Sequence, residues 1–502
     1  MIRIVLALCI FIAFIGNAHT YYVSKTGKNT NPGTKIAPFK TIQFAVNKLN
    51  AGDICYIRNG IYREHIQFKN SGKQNKLIIL RNFPREKVTI TQTFKRHNWT
   101  KHAKNIYRIP CSEKVVQVFI AGKPSMQASF PTIREGELST KTWGNIFASP
   151  NKTVKVPGIE KYKDITGARL VGICGRGLVA LNGKVIHQSR KIVQLQNEAF
   201  YWNKIHEKAY LGKGKGFLVG KYVFLDAPGE WFSNGKYLYY YAKPKEFNPN
   251  EIEIRTKQIA VSLADKKYIH LQGITIYAGN LSLDNSKQCI INQVTILFPT
   301  PFFTFESGFD RFGGTLNGMD YNQPKNWSGK GVVISGYGNN LINSKVQHSW
   351  GDGVTVWGNN NTLKNCIIND CDWIGTDCAP LNITGNKHLV SHSTFSKTAR
   401  SVLVHRKLSH SKIRFNEISE GGLLNDDLGL TYTYDTDGNG TEIAYNFLHD
   451  NYAPNFGGGI YLDNNHKNFQ VHHNVVWNCF VAMVINQKAE NDLIYNNTFI
   501  HN

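Results

Sequence analysis

Carboxylate side chains recur at a constant distance before asparagines in the C-terminal part of this 502-residue chain. Counting back eleven residues from Asn474 gives Asp463 in the segment GIYLDN, and the same count from Asn446 gives Asp435 in TYTYD. Equivalent positions on neighbouring strands lie about 4.8 Å apart. Two carboxyl groups at roughly 5 Å can cleave a glycosidic bond with retention of configuration. Their mutual repulsion would keep one of them protonated, as a general acid requires.

The same count from Asn416 gives His405, one repeat before Asp435. Because side chains alternate between the two faces of a strand, Asp463, Asp435 and His405 are all expected to point outward. The residues just before them are expected to point inward: Leu462, Tyr434 and Val404. An outward imidazole could hydrogen-bond the carboxylate pair or a substrate hydroxyl, so His405 is a predicted substrate-binding residue.

These positions belong to a repeat that extends from residue 251 to residue 502. Apolar, β-branched segments end in a small polar residue, and that series is Asn292, Asn343, Asn365, His392, Asn416, Asn446, Asn474 and Asn496. Steps of 22 to 30 residues after Asn343 are typical of a parallel β-solenoid. Asparagine at a turn can adopt the left-handed conformation and bond its counterpart one coil away. The sequence therefore predicts an all-β solenoid with an asparagine ladder. Because the chain stops in mid-repeat, we expect further C-terminal sequence.

The N-terminal segment is typical of a secretory signal. Arg3 precedes an apolar run from residue 4 to residue 15, which is too short to span a bilayer, and small and polar residues follow it. Residues 1–20 are therefore a predicted signal peptide, and the protein is predicted to be secreted or periplasmic. No later stretch is apolar enough to cross a membrane, so no membrane span is expected.

Two regions separate the signal from the main repeat. Residues 21–105 contain short β-branched segments and one amphipathic segment, which predicts a helix that caps the first coils. The apolar face of that helix would be Ile42, Ala45, Val46 and Leu49. Residues 106–250 have longer apolar segments and many aromatic residues, which predicts a β-rich, sandwich-like insertion. Trp231 in this region is a predicted sugar-stacking residue.

The formal net charge of +24 suggests a polyanionic partner or a generally basic surface. The lysines are scattered rather than clustered into an arm, so we expect no nucleic-acid partner. Of the nine cysteines, eight lie beyond the predicted signal peptide, and none forms a CxxC pair. The spacing argues against a zinc site and against a small disulfide scaffold. A monomer is expected.

Several motifs carry a resemblance to a known family. The segments YYVS, NPGT, PFKTIQ and NGIYRE resemble the opening of secreted right-handed parallel β-helix proteins of the pectate-lyase-like superfamily. FLDAPGEWF with LYYY, and GIYLDN with VHHNVVWN, resemble the β-helix glycoside hydrolases of the fucosidase and xylanase type. The resemblance implies an all-β, right-handed parallel β-helix with an N-terminal capping helix and a β-rich insertion.

The resemblance also implies an active centre. In NDDLGLTY, Asp427 would pair with Asp463 of the GIYLD motif, although Asp426 doubles the acidic residue and leaves the choice between the two open. Asp435 remains the alternative partner from the repeat count. Tyr461, Arg406 and Asp426 are predicted substrate-binding residues, and the loop 298–330 is expected to form a wall of the cleft together with the insertion.

Three functions are compatible with these features. The first is a glycoside hydrolase that acts on a polysaccharide or oligosaccharide, an acidic one being suggested by the charge, and needs no cofactor. The second is a polysaccharide lyase that uses arginine or lysine with calcium, and its basic residues would be Arg400, Arg406, Lys407 and Arg414. A calcium loop could also be formed by Asp435, Asp437 and Asn439, which match the first half of a known pattern. The third is a non-catalytic β-helix of the adhesin type.

Overall fold

The computed structural model describes residues 18–134, 136–178, 180–196, 211–243, 245–302 and 329–501. Nearly all of the predicted signal peptide and most of the predicted cleft loop 298–330 lie outside the described residues. Three long parallel sheets form the body of the molecule, and each coil of the chain contributes one strand to each sheet in turn.

The described strands of the three sheets follow one another in sequence order, and every neighbouring pair is parallel. Sheet 1 consists of Thr20–Val23, Ile54–Ile57, Ile78–Asn82, Ile269–Gln272, Ile290–Asn292, Asn340–Ile342, Thr362–Lys364, Leu389–Ser391, Lys412–Arg414, Asp437–Ala444, Lys467–His472 and Leu493–Tyr495. Sheet 2 consists of Gly60–Tyr62, Val88–Thr91, Thr275–Tyr277, Thr295–Leu297, Lys345–Gln347, Ile367–Cys371, Thr394–Thr398, Glu417–Gly421, Phe447–Asn451, Val475–Trp477 and Thr498–Ile500. Sheet 3 consists of Ile66–Gln67, Ile259–Ser262, Asn280–Lys287, Val332–Tyr337, Val354–Val356, Leu381–Ile383, Leu403–Val404, Leu428–Thr433, Gly457–Leu462 and Val481–Ile485. Beside sheet 3, Gly385–Asn386 pairs with Leu408–Ser409. The predicted all-β solenoid is confirmed.

The interior of the solenoid is a continuous aliphatic core. Every second side chain of each strand points inward, and equivalent residues of successive coils stack on one another. In sheet 2 this column contains Ile276, Ile296, Val346, Ile368, Phe395, Ile418, Leu448 and Val476, all fully buried. Burying one such side chain contributes about 1.5–3 kcal/mol, so the stacked columns hold the coils together.

The asparagine ladder exists, but it consists of two adjacent columns rather than one. In the buried column, the amide of Asn416 donates to Asn446 and the amide of Asn446 donates to Asn474, each over 3.0 Å. Asn474 then bonds Asn497 rather than Asn496. The exposed column links Asn365 to Asn343 and Asn343 to Asn292. Asn343 and Asn365 have left-handed backbones, and in later coils their position is occupied by His392, Phe415, Tyr445, His473 and Asn496, which are left-handed as well. The series of turn residues predicted from the sequence therefore combined residues from neighbouring positions of the same turn.

A short α-helix, Ile42–Val46, covers the N-terminal end of the solenoid. The hydroxyl of Thr41 accepts a hydrogen bond from the Phe44 amide and caps the helix. The face of Ile42, Ala45, Val46 and Leu49 is fully buried, which confirms the predicted capping helix. The other described helices are single 3₁₀ turns at Pro150–Lys152, Ile159–Lys161, Tyr222–Phe224 and Pro249–Glu251. None of the helices in the described ranges is long and apolar enough to cross a membrane.

Antiparallel sheets interrupt the solenoid between its early coils and Ile259. One sheet contains Lys123–Ser125, Gln117–Ile120, Ile252–Arg255 and Thr93–Lys95, and a second contains Trp231–Ser233, Tyr237–Tyr241, Ile106–Pro110 and Thr100–Lys101. The largest contains Ser129–Phe130, Gly212–Val219, Gly144–Ser149, Thr153–Lys155, Ile192–Leu195, Leu181–Ser189 and Arg169–Cys174. They lie where the sequence predicts an insertion, and the division into domains at residues 20, 105 and 250 stays a prediction. All eight cysteines of the described residues are buried free thiols.

Candidate active site

The register of sheet 3 decides which residue lies beside Asp463. Tyr432 pairs with Tyr461 and Thr433 with Leu462, so the next residue, Tyr434, lies opposite Asp463. The predicted stacking of Asp435 on Asp463 is therefore wrong by one residue. The cause is an irregularity between Asp437 and Thr441, where the strand carries extra residues relative to its neighbour. Counting back eleven residues from Asn446 therefore reaches a different strand position than the same count from Asn474.

Asp435 lies at the exposed end of this strand rather than in a carboxylate pair. Its Oδ2 accepts a hydrogen bond from Lys407 Nζ over 2.7 Å, and its amide donates to the carbonyl of Asn464. Half of the Asp435 side chain is accessible to solvent. An exposed ion pair of this kind contributes little to stability and leaves Asp435 outside the reactive centre.

His405 is part of the core, so its predicted outward orientation is wrong. The register places it in the inward column with Thr433 and Leu462, and it is fully buried. Its ring packs edge-on against Phe469 at 5.9 Å, and among the described residues neither ring nitrogen has a hydrogen-bond partner. Burial lowers the pKa of His405 to about 3, so the ring is neutral. The same alternation places Val404 and Tyr434 on the outer face, against the prediction.

Asp463 follows the strand Gly457–Leu462 and is held by three donors. The Tyr432 hydroxyl donates to Oδ2 over 2.7 Å, and the Asn486 amide donates to Oδ1 over 2.7 Å. The backbone amide of Asn464 donates to Oδ1 over 2.8 Å. Three donors on the two oxygens of one carboxyl group fix the orientation of the Asp463 side chain.

Asp427 precedes the strand Leu428–Thr433 and has a left-handed backbone with φ of +54°. Burial raises the pKa of this carboxyl, the nearby Arg400 and Arg176 guanidiniums lower it, and the charges of Asp463 and Asp426 raise it; the net direction is upward. Arg176 Nη2 donates to Asp427 Oδ2 over 3.2 Å. The two carboxyl groups of Asp427 and Asp463 thus lie within electrostatic reach and differ in environment.

Asp426 holds a neighbouring loop in place, which distinguishes its surroundings from those of the adjacent Asp427. Its carboxylate accepts hydrogen bonds from the backbone amides of Asn455 and Phe456 and from the Asn455 side chain. The side chain is almost fully buried. With both oxygens used to hold the loop before the next strand, Asp426 is not placed to bind substrate, and that prediction is wrong.

Tyr461 lies between the two carboxyl groups. Burial, then the charges of Asp463 and Asp427 and a hydrogen bond with Asp427, raise the pKa of its phenol. The Asn486 amide, which holds Asp463, also donates to the Tyr461 hydroxyl over 3.3 Å. Its ring meets that of Tyr432 edge-on at 5.3 Å. The phenol therefore connects the two acids, and its predicted contact with substrate stays a prediction.

Two arginines and one acid form a buried ion cluster beneath these tyrosines. Arg400 Nη1 and Arg406 Nη1 each donate to a different oxygen of Asp377 over 2.6 Å. Both guanidiniums face the ring of Tyr432, at 5.5 and 5.1 Å. Arg400 also donates to the carbonyl of Asp427 over 3.0 Å. Arg406 is only 5% exposed, so it supports the site from below, and its predicted role in binding substrate is wrong.

Among the described residues, the insertion reaches the site through the loop between its strands Arg169–Cys174 and Leu181–Ser189. Arg176 contacts Asp427, and the carbonyl of Leu178 accepts a hydrogen bond from Arg400. The carbonyl of Gly177 accepts hydrogen bonds from the Asp426 amide and the Asn425 side chain. This part of the insertion forms one side of the site. The other predicted wall, the loop 298–330, lies mostly outside the described residues.

Trp231 is not a sugar platform. The residue lies in the insertion and is only 5% exposed, and its indole N–H donates to the Ser125 carbonyl over 2.8 Å. It packs in a hydrophobic cluster with Ile109, Val118 and Leu238. A face that is covered by core residues cannot stack on a sugar ring, so the prediction for this residue is wrong.

The predicted calcium loop does not fit a cation. Asp437 Oδ1 accepts from the amides of Asn439 and Asn468, and Lys467 Nζ lies 3.5 Å from Oδ2. Asp435 is paired with Lys407, so ammonium groups take the positions that a calcium ion would need. Across the described ranges, no group of three or more His, Cys, Asp or Glu side chains is arranged to hold a metal ion.

The sequence did not single out Asp377, Arg176, Tyr432 or Asn486. Asp377 and Arg176 are far from Asp463 in the chain, and nothing in their local sequence marks them. Tyr432 could have been found, because correct alignment of TYTYD with GIYLD places Tyr432 beside Tyr461. A tyrosine one strand away and on the same face is within reach of a carboxylate two residues further along.

Comparison with known proteins agrees with this architecture. A family model described as "Right handed beta helix region" matches residues 313–499. The uncharacterized protein YwoF of Bacillus subtilis (strain 168) is 41% identical over 76 residues, which are 15% of this chain and 16% of that protein. The chain therefore matches only about a sixth of the length of this curated relative.

Two solved structures share the fold over most of the chain. One described as "Glycoside hydrolase" has a TM-score of 0.73 at 12% identity, with 96% of this chain and 97% of that chain covered. A complex of XylC with xylose has a TM-score of 0.54 at 13% identity, with 93% and 70% covered. The chain has the fold of a right-handed parallel β-helix, as the resemblance implied.

Proposed function

We propose that this protein is a glycoside hydrolase that acts on a polysaccharide or oligosaccharide, with Asp427 as general acid and Asp463 as the ionised partner. The observation that carries the proposal is the contrast between two neighbouring carboxyls. Burial and the charge of Asp463 raise the pKa of Asp427, whereas three donors hold Asp463. Pairs of acids whose environments differ in this way divide the roles of proton donor and nucleophile or base.

In this mechanism Asp427 would donate its proton to the oxygen of the leaving sugar. Asp463 would act at the anomeric carbon, directly or through a water molecule. The phenol of Tyr461 connects the two carboxyls and could carry part of the charge redistribution through its hydrogen bonds. The Asp377 cluster would hold the guanidinium of Arg400 beside Asp427. Neighbours described as a glycoside hydrolase and a xylose complex support a carbohydrate substrate.

The lyase alternative has less support from the geometry. A lyase needs a basic side chain that can take a proton from the sugar, but Arg400 and Arg406 are buried and both bound to Asp377.

The predicted signal peptide supports a secreted or periplasmic location, where the protein would meet such a polymer.

Carboxamide variants test the assignment. Asp463→Asn and Asp427→Asn are expected to lower turnover of a cleaved glycan by about 10²–10⁴-fold, because each removes a catalytic carboxyl. Asp435→Asn is the matched control, since it removes an exposed acid of the same strand, and it should keep activity within about twofold. Reducing ends are measured on a panel of neutral and acidic glycans. Full activity of Asp463→Asn, or unsaturated product ends detected by ultraviolet absorbance, would contradict the proposal.

A further inference from the structure

A groove of about 890 Å³ lies on the outer side of sheet 3, and its lining extends from Asp284 to Ser409, one coil before the acid pair. Its lining includes Trp357, Tyr337 and the lysines Lys287, Lys330 and Lys407. The floor continues with the amides of Asn359 and Asn386 and the hydroxyl of Ser409. Lys407 donates a hydrogen bond to Asp435. The other lining residues named above belong neither to the acid pair nor to the Asp377 cluster.

The groove and the acid pair lie on one face of one sheet. The strand register runs without a break from Thr355 through Asn382, Val404 and Tyr432 to Tyr461. Two residues further along each strand, the outward column begins at Trp357 and ends at Asp463. Trp357 and Asp463 are four strands apart, which corresponds to a separation of roughly 19 Å at the usual strand spacing. A polymer chain that follows this column would pass both.

Glycines create the concavity. Gly336, Gly358 and Gly385 follow one another on successive coils with φ of +94°, +96° and +109°. A Cβ on Gly358 would lie 2.3 Å from the carbonyl oxygen of Gly336, and one on Gly385 would lie 2.2 Å from that of Gly358. These glycine positions therefore cannot accommodate a side chain, and the groove stays open beside the indole of Trp357.

The chemistry of the lining selects a charged sugar polymer. Lys287 and Lys330 line the groove together with one acid, Asp284, whose Oδ1 accepts a hydrogen bond from the Ser335 hydroxyl, while Lys407 is paired with Asp435. Lys330 Nζ lies 5.2 Å from the centre of the Trp357 indole, so a cation and an aromatic surface are adjacent. Tyr337 is 48% exposed. Pyranose rings stack on such aromatic faces, and ammonium groups bind carboxylate or sulfate.

We propose that this groove binds a second segment of the same polysaccharide, remote from the cleaved bond, and that the segment carries carboxylate or sulfate groups. The inference rests on the proposed function, and it names the substrate class as an anionic glycan. Lys287 and Lys330 bind the anionic groups, the indole of Trp357 supports a sugar ring, and the asparagines bind hydroxyl groups. Affinity from this distal segment positions the chain over the acid pair.

Binding without turnover tests the groove. The full chain is titrated calorimetrically with polygalacturonate, chondroitin sulfate and neutral arabinoxylan, each added separately. Lys287→Ala/Lys330→Ala is expected to weaken binding of at least one anionic polymer by about five- to tenfold. The matched control is Lys345→Ala/Lys364→Ala, which removes two exposed lysines from sheets 2 and 1 and the same total charge. It should weaken binding by less than about twofold. Tight binding of polygalacturonate would show that carboxylate groups are sufficient, whereas binding of chondroitin sulfate alone, which carries both carboxylate and sulfate, would show that sulfate is required.

Trp357→Ala provides the second measurement, with Phe447→Ala as an exposed aromatic control on sheet 2. The Trp357 variant should bind about fivefold more weakly, and circular dichroism checks that it is folded. Equal losses in groove and control variants, or equally tight binding of arabinoxylan, would overturn the proposal. Asp463→Asn should bind as the wild type does while losing turnover. Turnover retained by Asp463→Asn would refute the proposed catalytic role of Asp463 alone, because groove binding is measured without hydrolysis.

Discussion

At the scale of single residues, the acid pair shows how identical side chains acquire different roles. Asp427 is partly buried and contacts the Arg176 guanidinium and the Tyr461 phenol, whereas Asp463 receives three donors. Desolvation favours the neutral acid, and donors favour the carboxylate. The direction of the Asp427 pKa can be tested by changing its neighbours rather than the acid itself.

Arg176→Gln should move the alkaline limb of the activity profile to higher pH. The guanidinium lowers the pKa of Asp427, so its removal raises that pKa and keeps the general acid protonated at higher pH. Initial rates from pH 4 to pH 9 on one cleaved glycan measure the shift. Arg190→Gln, an exposed arginine of the same insertion, should leave the profile unchanged. A downward shift in the Arg176 variant would contradict the assigned roles.

Asp377→Asn should destabilise the protein by about 3–5 kcal/mol, because it leaves two buried guanidiniums without their common counter-charge. Asp377 is 1% exposed and lies 2.6 Å from both Arg400 and Arg406. Urea unfolding followed by circular dichroism measures the change. Asp435→Asn, which breaks an exposed ion pair, should cost less than about 1 kcal/mol. Similar losses in the two variants would show that the cluster is not a stabilising unit.

At the scale of strands and turns, the two asparagine columns have different energetic weight. Asn446 is fully buried, its amide donates to Ile413 and Asn474, and its Oδ1 accepts from Asn416. Asn496 is exposed, and its side chain contacts only the His473 ring among the bonds described for it. The same residue type therefore stabilises the turn through buried hydrogen bonds in one column and through backbone conformation in the other.

Asn446→Ala should lower the free energy of unfolding by about 2–4 kcal/mol, since several buried groups lose their partners. Asn496→Ala should change it by less than about 1 kcal/mol. Both values come from denaturant titrations at neutral pH. A larger effect at Asn496 than at Asn446 would contradict the assignment of the columns.

The spacing of the repeats was enough to predict the solenoid, because stacked coils impose a period on the sequence, and the apolar spacing of residues 42–49 was enough to predict the capping helix. The spacing of the repeats was not enough to predict register at single-residue precision. Extra residues between Asp437 and Thr441 change the count without changing the local pattern. For that reason Asp435 and His405 were given positions that the strands do not provide. Arg400, Asp377 and Arg176 meet only in the folded chain.

At the scale of the whole molecule, buried histidines couple stability to pH. His405 has no hydrogen-bond partner for its ring among the described residues, and burial lowers its pKa to about 3. Burial likewise lowers the pKa of His388 to about 4, and its two nitrogens bond the Asn361 amide and the Thr384 carbonyl. In the unfolded chain both titrate near the ordinary value of 6.5.

The folded protein should therefore lose stability as pH falls below about 6.5, because only the unfolded state then binds these protons. Each histidine contributes a slope of up to about 1.4 kcal/mol per pH unit, and the loss from His405 ends near its folded pKa of about 3. His405→Leu should reduce the slope, and the exposed His410→Asn should not. Urea unfolding from pH 4.5 to pH 7.5 measures both. An unchanged slope in His405→Leu would contradict the neutral, buried ring.

The interruption of the solenoid by antiparallel sheets also determines the order in which a nascent chain can complete its fold. Ile78–Asn82 pairs with Ile269–Gln272, and Val88–Thr91 pairs with Thr275–Tyr277, so the whole insertion lies between partners. At ordinary rates of synthesis, the first coils wait on the order of ten seconds or more on the ribosome with one edge of each sheet uncovered. Unpaired edges invite association with other chains, so this interval is the period when the polypeptide most needs a chaperone.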